Sequence, residues 1–157
     1  MDVVKNIIWI ASFPKSGNTW TRFILNALMQ KKTSLQDLNK DAKISGACTA
    51  KALFKGILPD EASIKDRLTT RADAIRQLSQ KSPAKKLLLK THSAFAEFEK
   101  KPQIPADVTA AAIVVIRNPF DVLCSCMNHF GFSEEQAFNF LDKLTSSIGE
   151  TDKHMPV

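Results

Sequence analysis

Three short apolar runs, separated by helical patterns, constrain this chain more than any other feature. They are Lys5 to Ser12 (KNIIWIAS), Lys86 to Thr91 (KLLLKT) and Ala111 to Ile116 (AAIVVI). None alternates apolar with polar residues, so each reads as a strand covered on both faces, the mark of a parallel sheet. The third is apolar throughout and is expected at the sheet centre. Trp20, Phe23, Ile24, Ala27 and Leu28 recur at helical spacing and are expected to face inward, with Thr21, Arg22, Asn26 and Gln30 off that face. Glu61 to Gln80 reads as a second helix, with Ile64, Leu68, Ile75 and Leu78 near helical spacing. Pro119 suits the first turn of a third, running to about Phe130 with Leu123, Met127 and Phe130 inward. Ser133 and Gln136 form a capping-box pair opening a fourth, up to about Ser146. Residues 31–59 carry no legible pattern, and Lys100 to Ala106, with two prolines, reads as a loop. Strands alternating with helices predict an α/β fold around a central parallel sheet.

In such sheets ligands sit beyond the carboxyl ends of the strands. The first run leads into Pro14-Lys15-Ser16-Gly17, the second into Lys90-Thr91-His92 and the third into Arg117-Asn118-Pro119. Parallel pairing places all three exits on one edge. Lys15, Lys90, His92 and Arg117 would gather there, as an anion site with an imidazole able to move a proton.

The charge distribution agrees. Residues 1–101 hold 19 Lys/Arg and 9 Asp/Glu, a balance of +10, whereas residues 102–157 balance at −4. The basic part can face an anion or be a solvated lysine-rich surface. The lysines are not interleaved with aromatics, so nucleic acid is not an expected partner. Cys48, Cys124 and Cys126 lack the spacing of a disulfide framework or a zinc site, and reduced thiols without a bound metal are expected. No apolar run nears the roughly 20 residues that cross a bilayer, and no signal-peptide pattern is present. The expectation is a cytoplasmic chain with no membrane partner.

On physics alone, Pro14 to Trp20 (PKSGNTW) suits either a phosphate cradle at a helix N-terminus or a plain strand–turn–helix junction with a capping hydroxyl. It is not a Walker A loop, whose lysine follows the second glycine. The string resembles the 5′-phosphosulfate loop, PKSGTTW, of sulfotransferases that use 3′-phosphoadenosine-5′-phosphosulfate (PAPS), with Asn18 where threonine is common. Arg117 to His129 is similar to that family's 3′-phosphate motif, RNPxDVxxSxxxH, with Asp121, Ser125 and Asn128 on one helical stripe and His129 read as structural. Lys90-Thr91-His92 resembles the family's KTH segment, followed by Ser93-Ala94 where Leu-Pro is common.

The resemblance spans residues 5–130 and implies a P-loop-like three-layer sandwich. It also implies transfer of a sulfuryl group from PAPS to a hydroxyl or amine of a small-molecule acceptor, leaving 3′-phosphoadenosine 5′-phosphate (PAP). His92 would be the general base, and Lys15 and Lys90 would neutralise developing charge. Lys15, Ser16, Gly17, Asn18, Thr19 and Trp20 would hold the 5′-phosphosulfate end, and Arg117 and Ser125 the 3′-phosphate, with no metal required. Family members commonly run well beyond 200 residues, with a later glycine-rich basic segment that closes over the nucleotide. Residues 1–157 are accordingly read as one sulfotransferase domain, short or truncated. Two rivals stay open: a nucleotide-binding module without turnover, and a small-molecule kinase, which would need magnesium ligands and a Walker A lysine.

Overall fold

The computed structural model describes residues 5–30 and 51–142. In chain order they form β1 (Ile7–Ser12), α1 (Asn18–Gln30), a 3-10 turn (Lys51–Phe54), α2 (Ile64–Lys81) and β2 (Leu87–Thr91). A two-strand hairpin, β3 (Glu97–Phe98) with β4 (Lys101–Pro102), then leads to β5 (Thr109–Val115), α3 (Pro119–Phe130) and α4 (Glu134–Asp142). The sheet is parallel, in the order β2-β1-β5, and helices flank it. The α/β expectation therefore holds.

The sheet centre differs from expectation. β1 takes it, with Ile7, Trp9 and Ile10 buried, while among the described residues β5 pairs only with β1 and leaves Val114 66% exposed. A run of alanines and β-branched residues looks the same in either place, because its apolarity says nothing about how many neighbours it has.

β1 and β2 align Ile10 with Lys90 and Ala11 with Thr91, while β5 aligns Val114 and Val115 with Ala11 and Ser12. All three strands therefore stop at one edge. One core lies between the sheet and α2, where Ile7, Trp9 and Leu89 meet Ile75, Ile104 and Val108. Ser63, missed by the sequence reading, caps α2 through a capping box with Asp66, so the helix starts three residues later than expected. A second core joins Val122 and Cys126 of α3 to Ala137 and Phe140 of α4, with Leu123, Met127 and Phe130 partly buried against it. Burial pushes the Cys126 thiol up, so it stays protonated. The Ser133–Gln136 pair forms as expected, and the predicted extension of α4 to Ser146, like Cys48, lies outside the described residues.

α1 reverses its expected orientation. Trp20, Ile24 and Leu28 are 71%, 58% and 71% exposed, while Asn18 and Asn26 are buried and Arg22 is half-buried. The reason is local: Asn18 Nδ2 donates to the Ile10 carbonyl at 2.8 Å and to Ser12 Oγ at 3.1 Å. Those bonds tie the first turn to the end of β1 and decide which side of the helix meets the sheet. Among the described residues no helix is long and apolar enough to cross a membrane.

Candidate functional site

The turn after β1 is bolted in place. Pro14 is buried, Phe13 sets its ring edge-on to Phe140 at 5.6 Å, and the Ser16 N–H closes the turn onto the Phe13 carbonyl at 3.2 Å. Lys15 has φ 67° and Gly17 φ 107°. The left-handed region costs an ordinary residue about 1–2 kcal/mol, which explains glycine at position 17. Turned backbone of this kind can make an anion-binding concavity, and the first N–H groups of α1 follow it without intrahelical partners.

Arg117 leaves β5 at the same edge and closes the gap between the two motifs. Its Nη1 donates to the Lys15 carbonyl at 3.2 Å, across 102 residues of sequence. Asp121 stands 3.8 Å from the guanidinium, loosely enough to leave it available to another anion. Asn118 caps α3, accepting the Phe120 N–H at 3.0 Å, and Pro119 fills the first turn.

His92 stands just past the end of β2. Its Nδ1 lies 2.6 Å from the Ser12 carbonyl and 3.3 Å from Ser12 Oγ. A carbonyl oxygen only accepts, so Nδ1 carries the proton and the neutral ring holds its lone pair on Nε2. That is the tautomer a general base needs.

Two cavities meet at Arg117. The larger, about 610 Å³, has Ser12, Ser16 and His92 among largely apolar walls that include Phe13, Ile116 and Leu141. The smaller, about 400 Å³, is polar and includes Lys15, Ser125, Asn128, Cys124 and His129 in its lining. Both have volumes suited to small ligands. Two cations and the Ser125 hydroxyl in the smaller and the His92 imidazole in the larger can bind an anionic group beside a proton acceptor.

Of the residues singled out from sequence, Lys15, Ser16, His92, Arg117 and Ser125 line these two spaces. Gly17, Thr19 and Trp20 line neither, although they continue the same turn into α1. Lys90 is half-buried one residue before the end of β2 and also lines neither. Both amide-donor bonds of Asn18 run inward to Ile10 and Ser12, so its route to an anion is the backbone N–H. Sequence reasoning missed Ser12, whose role depends on β1–β2 register. It also set His129 aside, although the motif spacing had already placed that residue on the helix bearing Ser125. Among the described residues no three His, Cys, Asp or Glu side chains gather as a metal site would require.

The family model described as "Sulfotransferase domain" matches residues 5–151. Comparison with curated proteins gives no match. The matched span contains both turns, all three strand exits and both cavities, and the chain belongs to the sulfotransferase domain family.

Proposed function

We propose that this protein transfers a sulfuryl group from PAPS to a hydroxyl or amine of a small-molecule acceptor. The observation that carries this reading is the hydrogen bond from His92 Nδ1 to the Ser12 carbonyl at 2.6 Å, in a cavity that shares Arg117 with a cationic neighbour. The donor set suits the nucleotide: Lys15, Ser16 and the backbone N–H groups at the start of α1 for the 5′-phosphosulfate end, Arg117 and Ser125 for the 3′-phosphate. Gly17 supplies the turn, and Asn18, Thr19 and Trp20 continue it as the first residues of α1.

In the step itself, His92 Nε2 takes the acceptor's proton as the acceptor atom bonds to sulfur. The bond between sulfur and the bridging oxygen breaks, and its electron pair leaves with PAP. Lys15 and Lys90 offset the charge that builds on the bridging and sulfuryl oxygens. Lys90, one residue before the end of β2, would have to extend past the strand end to take this part.

Titrating PAP and AMP separately into the protein by calorimetry tests the nucleotide half of this reading. PAP is expected to bind about 10-fold or more tightly, since hydrogen bonds to a charged group contribute about 1.5–3 kcal/mol. Equal affinity for the two would refute the assignment of the 3′-phosphate.

A further inference from the structure

Helix α2 carries a charge at a position where core packing calls for an apolar side chain. Arg71 is 1% exposed, although a guanidinium is always ionised and costly to bury unless polar groups meet it. Its Nη1 donates to Ser93 Oγ at 2.9 Å. Ser93 in turn donates its backbone N–H to Thr91 Oγ1 at 3.0 Å. His92 stands between those two residues, with Nδ1 on the Ser12 carbonyl. The peptide segment bearing the imidazole is thus held from β1, from its own turn and from α2.

α2 is a firm base for such a hold. Near its end, Asn6 Nδ2 donates to the Ser79 carbonyl at 3.1 Å and Ser79 Oγ donates to Asn6 Oδ1 at 2.6 Å. In its middle, Arg76 grips Asp107 through two bonds of 2.8 and 3.1 Å. Gln103 donates to the Leu68 carbonyl at 3.1 Å, one turn from Arg71. With its helix fixed to the sheet and to the chain leading into β5, Arg71 has little freedom to move away from Ser93.

We propose that Arg71 is a positioning residue. Through Ser93 it fixes the His92 peptide so that Nδ1 stays protonated on the Ser12 carbonyl and Nε2 remains the proton acceptor. The proposal rests on the reading of His92 as general base. A side chain wanted only for packing could be Met or Leu, whereas the bond to Ser93 needs a donor.

The test is the imidazole tautomer, read from long-range ¹H–¹⁵N spectra of the full chain near pH 8. The sequence holds three histidines, His92, His129 and His154, and His92→Gln assigns the signal of interest. Wild type should show His92 mainly as the Nδ1–H tautomer. In Ser93→Ala, and in Arg71→Met where it folds, the ratio of Nδ1–H to Nε2–H should fall about 2- to 12-fold, the leverage of one ordinary hydrogen bond. Ser93→Ala leaves the buried charge in place, so it decides the matter if Arg71→Met does not fold. An unchanged tautomer ratio in folded Ser93→Ala, or a wild-type His92 that is mainly Nε2–H, overturns the proposal. Neither result touches nucleotide binding, so a failure here is distinguishable from equal binding of PAP and AMP, which would remove the sulfotransferase reading instead.

Discussion

Arg117 Nη1 donates to the carbonyl of Lys15 at 3.2 Å, so the guanidinium at the end of β5 and the turn after β1 hold one another. The bond makes one unit of two motifs far apart in sequence. It also orients the arginine, which keeps further donors for an incoming anion.

Arg117→Ala should therefore weaken PAP about 10- to 150-fold, from the loss of a charge-assisted bond of about 1.5–3 kcal/mol. AMP, lacking the 3′-phosphate, should bind almost as before. Calorimetric titration of both nucleotides into both proteins checks this. Equal weakening of the two would mean that Arg117 acts by holding Lys15 and not by reading the 3′-phosphate.

Gly17→Ala should destabilise the fold without a clash. A Cβ at this position would approach Val115 Cγ1 only to 4.0 Å, an ordinary contact, but φ of 107° disfavours any side chain. The expected loss is about 1–2 kcal/mol, or a Tm lower by about 2–8 °C at this chain length. Because the turn must deform to relieve the strain, PAP affinity should fall in the same variant. An unchanged Tm would show that the turn relaxes freely.

Asp107 gives the fold an acid limb. The Arg76 guanidinium, bonded to both carboxylate oxygens, holds Asp107 below its ordinary value. A depressed carboxylate pKa contributes stability that is fully present above the unfolded value of about 3.9 and is lost as pH falls through the folded one. Both side chains are more than a third exposed, so the pair contributes only about 0.2–1 kcal/mol. Asp107→Asn should leave a shallower decline in stability below about pH 4, measured by urea unfolding at a series of pH values. An acid limb identical to wild type would contradict the assignment.

The strands were legible because apolar runs such as Lys86 to Thr91 have few alternatives to a covered sheet. The strand exits were legible because parallel pairing leaves Lys15, His92 and Arg117 no other edge to share. The inner face of α1 was not. Periodicity put Trp20, Ile24 and Leu28 inward, whereas the Asn18 amide, tied to Ile10 and Ser12, turned that stripe outward. A single buried hydrogen-bonding side chain outweighed the helix pattern, and its partners lie on another element. The tautomer of His92 was equally hidden, since it follows from which carbonyl of β1 the β1–β2 register brings beside it. Arg71 carried no signal in the sequence, because helical spacing does not reveal that its turn of α2 meets the segment after β2.

The most direct measurement is transfer of labelled sulfate from PAPS to a panel of phenols, alcohols, sugars and amines, by wild type and by His92→Ala, with PAP affinity measured for both. Wild type should transfer sulfate to at least one acceptor class. In the variant the rate should fall by about 10²–10⁴, the usual contribution of a general base, with PAP affinity unchanged. Turnover in His92→Ala equal to wild type, or PAP binding by wild type with no transfer to any acceptor, would contradict the proposed reaction.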